Sequence, residues 1–199
     1  MLKFKIILAG AKDVGKSSLI SRYCDNVFNE TMQDTIGVAF KRKKVKISEK
    51  QEIDVNIWDF GGDIKYRLLF PSYVNGATAA FILYDVTNRE SFDDMRNWIQ
   101  LIKENIEYEN VVIILIGTKI DLVDQRVISK LDAIKISKEF GCVVEPIETS
   151  AKTGENVEKA FLVMTQEIVK MRLYVCKTCS EYFNKKLKFC PKCGEPVDN

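Results

Sequence analysis

The eight residues Gly10–Ser17, GAKDVGKS, limit what this chain can fold into more than any other stretch. They fit G-x-x-x-x-G-K-[ST], a pattern that has physical meaning only between a buried strand and the first turn of a helix. There the glycines let the backbone curl until its N–H groups converge on a phosphate, and the helix N-terminus adds partial positive charge. The flanks supply that context: residues 4–9 (FKIILA) read as a strand and 16–24 as a helix. Asp13, Val14, Gly15, Lys16, Ser17 and Ser18 then form the phosphate-binding set. Lys16 reaches the β- and γ-phosphates of a nucleotide, and the Ser17 hydroxyl binds Mg²⁺.

The rest of the chain alternates in the same way. Strand-like runs occupy 38–47, 53–59, 79–86, 111–118 and 143–149; helix-like runs occupy 66–74, 91–107, 129–140 and 155–173. Several strands are almost continuously apolar, as strands buried on both faces of a parallel sheet must be. VAFKRKKVKI and IDVNIWD instead alternate and read as a hairpin around SEKQE. Ser91 is expected to cap the third helix, with Asp93 and Asp94 in its first turn, and Gly141 to follow the fourth as a left-handed cap. Alternation of this kind predicts a doubly wound α/β layer.

Three later segments specify the nucleotide. Asp121, in Thr118-Lys119-Ile120-Asp121, follows a buried strand and can accept two hydrogen bonds from guanine N1–H and its exocyclic amine. Adenine offers the opposite pattern at that edge and would leave the carboxylate unpaired. Glu148–Lys152 (ETSAK) ends the last strand, where the backbone around Ser150, Ala151 and Lys152 can donate to guanine O6. Asp59, in WDFGG, is placed to hold a Mg²⁺-bound water, and the Gly62 N–H to touch the γ-phosphate.

In this order and spacing, the motifs of residues 1–173 resemble the Ras superfamily of small GTPases, its Rab and Rho branches in particular. The resemblance implies a P-loop NTPase G domain: α/β, with a doubly wound, mostly parallel six-stranded sheet. It implies binding of GTP and GDP with Mg²⁺, hydrolysis of GTP, and switching. DTIGVAF (34–40) is similar to a Rab-type switch I, which makes Thr35 the second Mg²⁺ ligand. Phe28 falls where the family sets an aromatic ring against guanine; a loop anchor is the alternative. Thr118, Lys119 and Asp121 fall at the guanine motif, with Thr118 in place of the commoner Asn. The γ-phosphate would tie down Thr35 and Gly62, and hydrolysis would release both loops. Effectors, exchange factors and GTPase-activating proteins would then read residues 28–40 and 60–75; Ile36, Val38, Phe40, Trp58 and Tyr73 resemble an effector patch or else belong to the core.

Two positions depart from that family. Asp63 stands where a Gln usually orients the attacking water. An aspartate there repels the γ-phosphate and donates no hydrogen bond, so slow intrinsic hydrolysis is expected; a base for water and a plain loop residue are the other readings. Lys12 occupies a position that often carries a small residue. It can obstruct a partner's arginine, supply positive charge to the transition state in cis, or simply be exposed.

The chain has no histidine but six cysteines, four of them in Cys176-x-x-Cys179 and Cys190-x-x-Cys193. Two such knuckles suit one tetrahedral Zn²⁺; iron or a redox dithiol are the alternatives. Residues 174–199 thus resemble a zinc ribbon of the rubredoxin-knuckle kind, a second module after the 1–173 G domain. Tyr182, Phe183 and Phe189 are expected to cover the metal within a short hairpin, and metal binding to supply most of the module's folding energy. Cys24 and Cys142 read as ordinary buried thiols. The layout and the abundance of Lys and Ile point toward an archaeal relative of the family. Absent histidine removes Ser–His–Asp and Cys–His chemistry. A formal charge of +2 is too small to argue for nucleic acid or an anionic membrane as main partner. No run has membrane-spanning length, and CGEPVDN carries no prenylation box, so a cytoplasmic protein without a lipid anchor is expected. Beside the switch stand two other readings: a GTP-holding scaffold with negligible hydrolysis, and an adaptor acting through its ribbon.

Overall fold

The computed structural model describes residues 2–106 and 110–197. Its main sheet has six strands in the order β2-β3-β1-β4-β5-β6. These are β1 (Lys3–Gly10), β2 (Val38–Lys46), β3 (Glu52–Phe60), β4 (Ala79–Asp85), β5 (Val112–Thr118) and β6 (Ile147–Glu148). All pairings are parallel except β2 with β3, an antiparallel hairpin running from Val38 opposite Phe60 to Lys46 opposite Glu52. β4 and β5 are buried at every position, which is why they read as unbroken apolar runs.

Helices cover both faces. On one side α1 (Lys16–Asp25) and α6 (Val157–Arg172) pack against Phe4, Ile6, Leu8, Ile53, Val55, Phe81 and Ile114. On the other lie α2 (Phe70–Val74), α3 (Arg89–Asp93), α4 (Met95–Asn105) and α5 (Lys130–Glu139), over Ile7, Ala80, Ile82, Ile113 and Leu115. The expected doubly wound layer is therefore present, with these two clusters as its core.

Several boundaries differ from expectation for identifiable reasons. The helix expected over 66–74 is a 3₁₀ turn, Ile64–Leu69, followed by α2, because Pro71 has no N–H to continue a helix from the preceding turn but fits the start of a new one. The 91–107 helix divides into α3 and α4 at Asp94. It starts earlier, capped by Asn88, whose side chain accepts from the Ser91 N–H at 3.0 Å. Ser91 is inside the helix instead; its hydroxyl accepts from the Asp85 N–H at 3.0 Å and donates to the Asn88 carbonyl at 2.8 Å. Residue 107, the expected end, lies outside the described residues. β6 is only two residues long, not seven, since Pro146 cannot donate to a ladder. Gly141, at φ +68°, follows α5 as expected.

A second sheet pairs β7 (Leu173–Val175) with β8 (Tyr182–Asn184), antiparallel. α6 passes into β7 without a linker, and Leu173 is buried in the main core. The hairpin expected within 181–189 is not formed: β8 pairs back to β7.

Candidate functional site

The carboxyl ends of the strands and the loops after them surround a cleft of about 760 Å³. At its phosphate end the chain leaves β1, turns through Asp13 at φ +62° and Gly15 at φ +86°, and enters α1. Both left-handed residues are needed to aim successive N–H groups into one concavity. Lys16 is buried, with its Nζ donating to the Gly10 and Ala11 carbonyls at 2.9 and 2.6 Å. Burial lowers its pKa to about 8, against the opposing pull of the Asp59 carboxylate.

Asp59, Ser17 and Thr35 meet beside it. Ser17 Oγ donates to Asp59 Oδ2 at 2.5 Å, Thr35 Oγ1 donates to the same oxygen at 3.2 Å, and the two hydroxyl oxygens are 2.7 Å apart. Asp59 Oδ1 is buried and has no hydrogen-bond partner among the described residues. Burial raises the pKa of this carboxyl. Two hydroxyls and a carboxylate, one oxygen of which is buried and unsatisfied, are a donor set for a small hard cation, so these residues fit Mg²⁺.

The second and third strands bring the 34–37 and 61–63 loops to this point. Gly61 N–H donates to the Gly37 carbonyl at 2.9 Å, joining the two loops. Gly62 lies so close to the phosphate loop that a Cβ there would stand 2.4 Å from Ala11 C, Ala11 O and Lys12 N. Only glycine permits that approach. Asp63 lines the cleft, but its carboxylate caps the following 3₁₀ turn: Oδ1 accepts from the Lys65 N–H and Oδ2 pairs with Lys65 Nζ, both at 3.1 Å. Those contacts hold its pKa below the usual carboxylate value. Lys12 Nζ pairs with Asp34 Oδ2 at 2.7 Å, linking the phosphate loop to the 34–40 loop.

At the other end, Asp121 is oriented by Ser150 Oγ, which donates to its Oδ1 at 2.6 Å. Ser150 is fully buried and is absent from the cleft wall, which it supports through Asp121. Thr118 also acts from below: its hydroxyl bonds the Val14 and Tyr84 carbonyls at 2.7 and 2.9 Å, tying the base motif to the phosphate loop. Lys119, at φ +61°, pairs with Asp85 at 2.7 Å. Asp13, Gly15, Ser17, Ser18, Phe28, Thr35, Gly62, Thr118, Lys119, Asp121, Ala151 and Lys152 line the cleft, whereas Val14 is buried beneath it.

One residue essential to this arrangement was not legible as a motif. Arg22, on α1, donates from Nε to the Ala151 carbonyl at 2.7 Å and from an Nη to the Lys152 carbonyl at 2.9 Å. It fastens the 150–152 loop to the helix that starts at the phosphates. Its partners are 129 and 130 residues away, and carbonyls leave no trace in sequence. Met32 and Glu30 also line the cleft, Glu30 pairing with Lys152 at 2.9 Å.

Ile36 is exposed at the rim of the cleft; outside it Phe40 is exposed and Tyr73 partly so, while Val38 and Trp58 pack against the core. Phe40, Trp58 and Tyr73 form a continuous aromatic row, with ring centres 5.3 and 5.9 Å apart.

The four paired cysteines converge. Their sulfurs all lie within 4.8 Å of one another, with Cys176–Cys193 and Cys179–Cys190 at 3.6 Å. A tetrahedral thiolate site with metal–sulfur bonds of about 2.3 Å has sulfur edges of about 3.8 Å. The two knuckles share one backbone design. Ser180 and Gly194 donate to the Cys176 and Cys190 carbonyls, both at 2.9 Å, and both residues are left-handed, at φ +58° and +77°. N–H groups of Cys179 and Thr178 turned toward the Cys176 sulfur lower its pKa to about 7. Phe183 is buried among the cysteines as expected. Tyr182 instead packs on the main core, and Phe189 is exposed at the Phe189–Pro196 bridge.

Residues 5–170 match the Ras family. Over 165 residues the chain is 41% identical to the Ras-related protein Rab-4 of Dictyostelium discoideum, covering 83% of this chain and 78% of that one. It is 36% identical to human Ras-related protein Rab-8B over 166 residues (83% and 78%), and 38% identical to Ras-related protein Rab-10 of Diplobatis ommata over 168 (84% and 82%). The chain belongs to the Ras family as a Rab-like small GTPase, an enzyme of the GTP-hydrolysing class.

Proposed function

We propose that the cleft holds GTP or GDP with Mg²⁺ and that the chain is a switch with slow intrinsic hydrolysis. The observation that carries this reading is Asp63. Its carboxylate is committed to Lys65 and the 3₁₀ turn, so no side chain at that position is free to orient a water. In this reading Ser17 and Thr35 would ligate Mg²⁺ and Asp59 would hold one of its waters; the ion, when bound, would supply positive charge against that of the phosphates. Lys16 leaves its two carbonyls for the phosphate oxygens. Asp121, aimed by Ser150, selects guanine; Phe28, Thr118, Lys119, Ala151 and Lys152 enclose it. Lys12 is close enough to the phosphate loop and Asp34 to add positive charge where the transition state develops negative charge.

Partners are expected at residues 28–40 and 60–75, where exposed Ile36, Phe40 and Tyr73 offer apolar contact. We assign the chain as a 1–173 G domain followed by a ribbon whose four thiolates hold one structural Zn²⁺, supported by the sulfur spacing. Thiols kept for a metal suit a cytoplasmic, reducing setting. Among the described residues no helix is long and apolar enough to cross a membrane.

Single-turnover hydrolysis of Mg²⁺·GTP tests the reading. Slow but definite phosphate release is expected, faster in Asp63→Gln. A rate in Asp63→Gln equal to the parent's would refute the role given to Asp63. Retention of intact GTP for hours in both proteins would favour the scaffold.

A further inference from the structure

The cysteine ribbon is bonded to a particular part of the G domain. Gln51 sits where the β2–β3 hairpin turns into β3. Its side-chain amide makes both backbone bonds of Tyr182, donating from Nε2 to the carbonyl at 2.7 Å and accepting the N–H on Oε1 at 2.8 Å. That is the pairing a neighbouring strand residue would provide, reproduced by a side chain. The backbone of Gln51 also closes the turn, its carbonyl accepting from Ile47 and Ser48 N–H at 3.0 and 3.3 Å. One residue therefore holds the hairpin's own turn and the ribbon's β8.

Two further contacts complete the joint. Lys185 donates from its backbone N–H to the Arg172 carbonyl at 2.9 Å and from Nζ to the Lys170 carbonyl at 2.7 Å. These carbonyls end α6 and lack partners within the helix. Leu173 is buried in the main core, against which Tyr182, Val45 and Ile47 also pack. The ribbon's two sides, β7 and β8, are thus both seated on the G domain, and the cysteines close the loop between and beyond them.

β2 is an edge strand, supported by β3 alone. The hairpin it forms connects the Thr35 loop to the Gly62 loop. Beyond the cysteines, the ribbon's own apolar cluster is small, with Phe183 buried and Tyr174 and Val197 against it. A module of that size needs a metal to stay folded.

The geometry points to a metal-dependent clamp: resting on the zinc assignment proposed above, Zn²⁺ in the four-cysteine site holds β8 in place, and β8 through Gln51 holds the turn of the hairpin that joins the two switch loops. The ribbon is thereby part of the G domain's cooperative structure. Metal occupancy and protection of the hairpin rise and fall together.

Backbone hydrogen exchange on the full chain tests this, comparing protein loaded with Zn²⁺, protein stripped by a chelator under reducing conditions, and Gln51→Ala loaded with Zn²⁺. Stripping is expected to speed exchange at least about tenfold across residues 45–54 and 172–184, because those amides then open locally rather than globally. Gln51→Ala should speed exchange at 45–54 while still binding one Zn²⁺ per chain, so the clamp is tested even if the stripped protein unfolds. Exchange at 45–54 unchanged in a fully loaded Gln51→Ala protein overturns the clamp and leaves the zinc site standing. Failure of the parent chain to bind Zn²⁺ beyond a variant with all four cysteines replaced by serine overturns the zinc assignment itself.

Discussion

Arg22→Ala should loosen nucleotide binding although Arg22 is expected to touch no nucleotide atom. Its guanidinium donates from two nitrogens to the Ala151 and Lys152 carbonyls at 2.7 and 2.9 Å, and the third reaches the Asn26 carbonyl at 3.2 Å. Hydrogen bonds from a charged donor contribute about 1.5–3 kcal/mol each where water is excluded. The Lys152 bond is exposed, so its freed carbonyl regains water and its loss costs little. The partly buried Ala151 bond dominates, which suggests a total of about 1–2 kcal/mol. If that loss falls on the bound state, where the 150–152 loop must be ordered against the base, release of GDP accelerates about five- to thirtyfold. Arg22→Lys should recover little, since one ammonium cannot span both carbonyls as a planar fork does. Stopped-flow release of a fluorescent GDP analogue measures this directly, with circular dichroism to confirm the fold. A release rate within twofold of the parent's in a folded Arg22→Ala protein would refute the argument.

Four other outcomes follow from the same geometry. Thr118→Ala leaves the buried Val14 and Tyr84 carbonyls short of a donor and should cost about 1–3 kcal/mol of stability, read from denaturant midpoints at constant slope. Gly62→Ala should uncouple the Gly62 loop from the phosphate loop. GTP-analogue and GDP complexes would then give the same Trp58 fluorescence, whereas the parent is expected to give different values for the two. Ser180→Gly relieves a left-handed serine and should raise retention of Zn²⁺ against a competing chelator by about two- to fivefold, while Gly194→Val should lower it. Arg42 holds Asp54, whose side chain is fully covered, through two hydrogen bonds at 3.2 and 2.5 Å, keeping that carboxyl below its usual pKa. The unfolded chain therefore takes up this proton first as pH falls. The stabilisation is complete well above pH 4 and is lost below it, so melting temperature should fall less steeply with acid in Asp54→Asn.

Most of the fold was legible because two periodicities were unambiguous. Continuous apolar runs marked β4 and β5, and the alternation in 38–47 and 53–59 marked the hairpin. Errors arose where one backbone group decided the outcome. Pro146 cut β6 to two residues, Pro71 divided a helix, and Asn88 took the cap expected of Ser91. In the cleft, most motif residues were legible as a group because the strands that carry them set their spacing and bring them to one wall. Arg22 could not be found that way, since it binds carbonyls across the chain. The supporting roles of Ser150 and Thr118 were hidden for the related reason that sequence reports a residue's type and not which way it points. The aromatics around the cysteines divided because β8 paired to β7 and so fixed an alternation that turns Phe183 inward and Tyr182 onto the main core, while Phe189, beyond β8, faces outward at its bridge to Pro196.

The two edges of the main sheet are unlike. β6 presents two residues, too few to template another strand. β2 presents nine, and Lys41, Arg42, Lys43, Lys44 and Lys46 make it cationic along most of its length. A second copy laid against that edge would bring lysine opposite lysine, so the edge repels its own kind. An extended segment rich in aspartate or glutamate would meet the outward-facing backbone donors and acceptors of β2, those not paired to β3, and a charge opposed to its own. The same row of basic residues that would oppose self-pairing at this edge would thus set the electrostatic terms on which a different chain joins the sheet.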